Sequence, residues 1–469
     1  MTVGANPVEQ ERVAVLSDCA VNRDGRYVLY WMQQSQRADN NPALEYAVAQ
    51  ADELHLPLVT CFGLAPSYPD ANLRHYAFML EGLRETHASL SRRGIPLIAR
   101  FGSPPEIAGE LGVDAALIVC DRGYLRHQRE WRAQLAAECG RRLVEIDGDV
   151  VVPVETASQK REYAARTIRP RIHRQRDRFI TDLSGARSHR SGASPVVPDP
   201  SQSRHRPIDL TDPASTLATL DVDTSVGAST RFHGGTAAAR KRLEQFIERN
   251  LDGYATARND PGDPAETGLS PYLHFGQISP REIALRIVGA DTGSPEDKEA
   301  FLEQLVVRRE LSVNFVWFED RYDGYDCLPE WARRTLSRHR ADKRPFLYTE
   351  DELVRCATHD EMWNAAMREM VATGFMHNYM RMYWGKKILE WSASPEDAYA
   401  TLLTLNNRYF LDGRDPNSYA SVGWIFGLHD RPWKERPVFG TVRYMSEDGL
   451  RRKFDTSGYV ERVARLAAT

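Results

Sequence analysis

From Arg26 onward, short apolar runs alternate with longer stretches whose apolar residues return every three to four positions. The runs Tyr27–Met32, Pro57–Phe62, Pro96–Phe101, Ala116–Cys120 and Arg142–Ile146 read as strands. The intervening Asn41–Leu54, Leu73–Arg93 and Leu125–Cys139 read as helices. Strand and helix in alternation predict an α/β domain, a doubly wound parallel sheet with helices on both faces, over residues 20–165. Ligands on such sheets sit at the carboxyl ends of the strands, where Gly63 and Asp121-Arg122-Gly123 fall; plain strand-to-helix turns would look the same. Neither G-x-G-x-x-G nor G-x-x-x-x-G-K-[ST] occurs, so phosphate-loop nucleotide binding is not supported.

Periodicity then stops. Lys160 to Arg178 holds eight Lys or Arg against two acids, which suits a solvated face or a phosphate-tracking segment, and Ser184–Asp209 is rich in Ser, Pro, Arg and Gly. Residues 166–234 are therefore expected to be a basic segment and interdomain linker. Beyond them, residues 235–469 are almost wholly helical in pattern, with helices expected over Ala237–Asn250, Pro280–Gly289, Asp297–Phe318, Glu350–Thr358, Asp360–Trp391, Pro395–Leu405 and Glu447–Leu466. This predicts an all-α second domain.

Within that domain, Met376–Trp391 puts Trp384 and Trp391 two helical turns apart on one face, beside Arg381 and Lys386-Lys387. Indoles beside fixed positive charge suit either a dense core or an aromatic cofactor. Seven of the nine tryptophans lie in this half. Thr267-Gly268-Leu269-Ser270 leads into a helix and could hold a phosphate on its free N–H groups. Asn406 to Asn417 packs two carboxylates and two guanidiniums into one connection, making Asp412 a natural partner for Arg381. His377 and His429 read as core or helix-end residues.

Composition narrows the class. The chain has 469 residues, 42% apolar and 27% charged, with a net charge of −4, which describes a globular protein of two domains and excludes a histone-like polycation. Six dispersed cysteines without a C-x-x-C pair signal neither a disulfide framework nor a metal site. No apolar run reaches spanning length, and residues 1–18 do not read as a signal peptide, so no membrane association and a cytoplasmic location are expected.

In order and spacing, several segments closely resemble the class II cyclobutane pyrimidine dimer photolyases of the photolyase and cryptochrome family. They are Tyr30-Trp31-Met32 with Gln36-Arg37-Ala38-Asp39-Asn40, Val152 to Ser158, Leu269–Ser279, Val307–Asn314, Met380–Trp391, Leu411–Asn417 and Trp433 to Gly440. The resemblance implies a carbon–carbon lyase that uses light and reduced FAD to split a pyrimidine dimer flipped out of UV-damaged DNA. It implies a monomer whose α/β domain houses a possible second, antenna chromophore, a deazaflavin or a folate.

By position, Tyr254, Thr267, Gly268, Leu269 and Ser270 would hold the FAD phosphates and ribityl chain, with Arg381, Asn406, Asp412 and Asp415 completing the cofactor site. Asn406 would sit beside flavin N5 and the Arg381–Asp412 pair over the ring. Trp384, Trp363 and Trp391, with Tyr348 nearby, would carry electrons to the flavin. Met382 and Trp424 would contact the dimer, and Arg258 would fill the gap in the duplex, with Lys434 and Arg443 also on DNA. Glu303 or Gln304 would be the group facing the dimer. Two departures stand out: where the family usually reads Gly-Lys-Met-His-Gly, this chain has Gly374-Phe375-Met376-His377-Asn378, and where many members have Glu-Glu-Leu it has Glu303-Gln304-Leu305. The competing readings are a cryptochrome-like FAD photoreceptor without repair and a flavin-free helical DNA-binding protein.

Overall fold

Five strands, each nearly continuous in apolar residues, form the centre of the first domain: β2 (Tyr27–Trp31), β3 (Leu58–Leu64), β4 (Leu97–Phe101), β5 (Ala115–Asp121) and β6 (Leu143–Ile146). Every residue of β2, β3, β5 and β6 is buried, as expected for parallel strands covered on both faces. The computed structural model describes residues 8–65, 68–183, 203–262 and 265–467. With β1 spanning Val13–Ser17 and β7 spanning Arg206–Pro207, the strand order is β1-β6-β5-β2-β3-β4-β7. Its two edges were not expected from the pattern: β1 (Val13–Ser17) pairs antiparallel with β6, and β7 (Arg206–Pro207) antiparallel with β4. The sheet is therefore parallel in its interior and mixed at its margins.

Strand order reverses between β2 and β5, the place where doubly wound sheets open a crevice. Here Asp121 lines it. Its Oδ2 accepts the backbone N–H groups of Gln33, Gln34 and Ser35, each at 2.9 Å, and its Oδ1 accepts the Tyr30 hydroxyl at 2.8 Å. The Asp121 carboxylate thus builds a turn.

The expected linker is partly structure. Residues 184–202 lie outside the described residues, but 203–209 include β7, and the helix Pro213–Ala218 packs on Leu73–Arg92. The basic run forms the helix Ala165–His173, whose Ile168 and Ile172 are buried. Five of its eight cations are paired with acids: Arg161 with Glu319, Arg169 with Glu303, Arg171 with Glu162, Arg176 with Glu299 and Arg178 with Glu11. These pairs tie the run to both domains, so it is neither a free solvated face nor an open phosphate track.

In the helical half, three long expected helices are interrupted. Asp297–Phe318 is an α-helix to Leu302, a π-helical turn over Glu303–Arg308, and an α-helix again over Arg309–Phe318. Asp360–Trp391 divides into Glu361–Thr373 and Asn378–Trp391 at Gly374, whose φ of 76° is readily adopted only by glycine. Glu447–Leu466 divides into Glu447–Arg451 and Thr456–Ala467. Expected Glu350–Thr358 stops at Val354. Apolar periodicity runs straight through such breaks because both sides face the same core.

Arg37 locks the domains together. Its guanidinium reaches Asp149 at 2.8 Å and the carbonyls of Gly276, Gly148 and Asn40, and its side chain is fully enclosed. Among the described residues, no helix is long and apolar enough to cross a membrane.

Candidate functional site

The break at Gly374 shapes the site. It lets the backbone turn so that Leu411 N–H reaches the Gly374 carbonyl at 2.9 Å, placing the Phe410–Asp412 turn beside the start of the helix Asn378–Trp391. Arg381 then meets Asp412, with Nη2 2.9 Å from both carboxylate oxygens. The guanidinium lies 3.7 Å from the centroid of Phe410, and its Nε donates to Met376 O at 3.3 Å. Trp384 sits edge-on to Phe410, with centroids 6.0 Å apart. Asn406, on the helix Pro395–Tyr409, is buried and donates to Asn407 Oδ1 at 3.1 Å. Arg381, Asp412, Asn406 and Trp384 thus lie on adjoining elements.

Trp384 Nε1 is buried with no hydrogen-bond partner among the described residues. An orphaned donor costs about 1–3 kcal/mol unless something bonds it. Together with the Arg381 cation, which packs on the same Phe410 ring, this donor set fits a planar, polar-edged, electron-rich aromatic group.

The predicted phosphate-holding segment reaches this centre through aromatic contacts. Gly268, at φ 62°, approaches Phe232 and Arg242 closely enough that a Cβ would lie 3.1 Å from Arg242. Phe232 packs 5.6 Å from Phe375, and Phe375 lies between two guanidiniums, Arg231 at 4.8 Å and Arg381 at 5.9 Å. Thr267 Oγ1 accepts Leu269 N–H at 3.1 Å, and Ser270 begins the short helix Ser270–His274. Tyr254 is buried against Phe246 and Phe301, and burial pushes its hydroxyl up to about 12. Asp415 caps the helix Pro416–Ile425 and faces His274 at 3.4 Å; burial would raise its carboxyl, but His274 and Arg309 outweigh this and hold it low.

The remaining indoles form a line. Trp363 Nε1 donates to the carbonyl of Trp384 at 3.0 Å, Trp363 and Trp391 are 5.6 Å apart, and Trp391 and Tyr348 are 5.3 Å apart. Trp384, Trp363 and Trp391 are buried, whereas Tyr348 is half-buried.

A second cluster carries Trp424, half-buried, with the Lys386 ammonium 5.0 Å and the Arg443 guanidinium 5.4 Å from its ring. Arg443 also lies 4.1 Å from the exposed Trp433 and pairs with Asp430 at 2.9 Å; Lys434 beside it is exposed. Lys386 itself is fully buried, its Nζ donating to Ile425 O at 2.5 Å, and burial brings it down to about 7. Met382 and Arg258 are half-buried.

Glu303 is ion-paired with two arginines. Arg169 binds both its oxygens at 2.7 and 3.0 Å and Arg308 adds a third bond at 2.9 Å; burial works to raise its carboxyl, and these cations hold it below the usual range. Gln304, half-buried on the same π-helical turn, has no such partners among the described residues.

Sequence reasoning missed Arg231 and Phe232, which fell in the expected linker, and Phe410, which has no motif of its own. A cation next to an aromatic just before a helix was the only local signal.

The DNA photolyase family model matches residues 28–188. The chain is 46% identical over 461 residues to a deoxyribodipyrimidine photo-lyase of Methanothermobacter thermautotrophicus, covering 98% of this chain and 99% of that one. It is 37% identical to the enzyme of the same name from Potorous tridactylus, covering 97% and 85%. A solved archaeal photolyase from Sulfolobus tokodaii with two FAD molecules shares the fold at a TM-score of 0.67 and 16% identity, covering 94% of this chain and 92% of that one. Identity of this extent, along both domains, means that the chain belongs to the DNA photolyase family of enzymes.

Proposed function

We propose that this protein is a light-driven repair enzyme for cyclobutane pyrimidine dimers in DNA, of the class II type its motifs resemble, with FAD held in the helical domain. Reduced FAD held there would supply the electron that opens the cyclobutane ring and would receive it back. The observation that carries this reading is the grouping about Phe410: the Arg381–Asp412 pair with its guanidinium over the ring, Trp384 with its unbonded N–H edge-on to it, and Asn406, whose backbone carbonyl accepts the Phe410 N–H.

The chain's own residues do the rest. Arg381 presents a fixed cation to an anionic ring, while Asp412 orients it and offsets part of its charge. Asn406 offers an amide to the ring's central edge. Thr267 to Ser270, with Tyr254, hold the phosphates and ribityl chain, and Asp415 completes the wall. Trp384, Trp363 and Trp391 give an oxidised flavin a path for electrons from the surface.

Trp424, stiffened by the cations against its ring, and Met382 form an apolar seat for an extruded dimer. With Glu303 held by two arginines, Gln304 is the group left to hydrogen-bond a base edge; it donates and accepts but does not ionise. Arg258 enters the vacated duplex position, and Lys434 and Arg443 bind phosphates. A second chromophore would fit the interdomain cleft lined by Gln33, Leu64, Tyr76, His274 and Arg414 at the ends of β2 and β3.

The test is to record the absorption spectrum, reduce the protein, and incubate it with a thymine-dimer oligonucleotide in the dark and under blue light. Repair in light alone is expected. Flavin bands without repair would leave a photoreceptor, and a protein that takes up no flavin would sink both readings.

A further inference from the structure

The outer end of the tryptophan line has a feature that the inner part lacks. Tyr348 is tied to Trp391 by its backbone, N–H to carbonyl at 3.3 Å, as well as by the ring contact. Its hydroxyl meets a single residue twice: it accepts the backbone N–H of His359 at 3.0 Å and lies 2.7 Å from His359 Nδ1. The His359 tautomer that carries hydrogen on Nε2 leaves Nδ1 to accept the phenolic hydrogen. Phe346 stacks on the imidazole with centroids 3.7 Å apart and planes at 22°, fixing its orientation. His359 is exposed, so a proton it accepts can pass to water.

We propose that His359 is the proton acceptor for Tyr348 when Tyr348 fills the electron hole left on Trp391. The inference rests on the electron route proposed above. One electron passes from Tyr348 to the Trp391 radical cation as the phenolic O–H bond breaks and its proton moves to His359 Nδ1. The products are neutral Trp391, a neutral tyrosyl radical and an imidazolium. The oxidant is the light-excited oxidised flavin, which keeps the electron. Because the phenol loses its proton with its electron, return of the electron requires the proton as well, and the separated charge lives longer.

Flash photolysis and electron paramagnetic resonance of the FAD-loaded protein test the step. In His359→Gln the side chain still accepts a hydrogen bond but takes no proton, so tyrosyl yield should fall at least about tenfold while the tryptophan radical still forms. In the wild type alone, tyrosyl formation should slow in D2O. A readout that needs no flavin is the 15N shift of His359 Nδ1 in the dark protein, which should report an acceptor nitrogen and move in Tyr348→Phe. Full tyrosyl yield in His359→Gln, or a 15N shift unchanged by Tyr348→Phe, would overturn the relay. Absence of any tryptophan radical in the wild type would overturn the route beneath it, a distinguishable result.

Discussion

Two arginine–aspartate pairs, one at the domain junction and one at the helical centre, use the same chemistry to different ends. Arg37 at the junction is fully enclosed and spends its donors on Asp149 and three carbonyls from both domains. Arg381 keeps a side-chain exposure of 16%, bonds Asp412 and one carbonyl, and leaves Nη1 without a hydrogen bond among the described residues. The saturated Arg37 guanidinium is a clamp, because none of its nitrogens remains free to bind anything else. The unsaturated pair has a free donor and a neighbouring indole N–H also lacking a partner. An unspent donor on the cation is what separates a binding wall from a strut.

The clamp should break hardest. Arg37→Met strands the Asp149 carboxylate and should cost about 3–5 kcal/mol of stability, read by urea denaturation. A loss under about 1 kcal/mol would show that the junction does not depend on that pair.

The next effect has a definite sign with pH. Burial lowers Lys386 to about 7, so above that value the folded chain has released a proton that an unfolded lysine holds up to about 10.4. The unfolded state binds more protons across that window, and stability gains up to about 1.4 kcal/mol per pH unit from this residue as pH rises. Lys386→Met removes that slope, and parallel stability curves for the two proteins from neutral to mildly alkaline pH would contradict the assignment.

Trp363→Phe interrupts the line between Trp384 and Trp391. Photoreduction of oxidised flavin should slow by about tenfold, equivalent to about 1.4 kcal/mol in barrier. An unchanged rate would exclude the route. The smallest effect belongs to the exposed Lys434: Lys434→Ala should weaken lesion and undamaged DNA alike by a few-fold and flatten the salt dependence by about one charge.

How much of this could be read beforehand follows from range. The interior strands were legible because burial on both faces makes each a continuous apolar run. The edge strands were not: β7 is only two residues long, and β1, though five residues long, exposes Val15 and Leu16 at 46% and 38%. Arg381 and Asp412 could be proposed as partners from charge alone, but the close approach that joins them depends on Gly374 breaking a helix, which periodicity does not reveal. The part played by Phe375 was opaque for a similar reason. Its neighbours Arg231 and Phe232 are more than 140 residues away in sequence, so only the fold shows that an aromatic stands between two guanidiniums there. The Glu303-Gln304 pair was legible as a choice but not as an outcome, since Arg169, which captures Glu303, lies in the basic run on another element.

The claim that the helical centre, rather than the junction, carries the chemistry is tested most directly by light-minus-dark repair of a thymine-dimer oligonucleotide by reduced wild type and Arg381→Leu, compared at equal flavin occupancy. The account predicts light-dependent repair by the wild type and its loss by at least about a hundredfold in Arg381→Leu, the scale of one removed charge-assisted contact at a reacting centre. Repair by Arg381→Leu at the wild-type rate, or wild-type repair that proceeds equally in the dark, would contradict it.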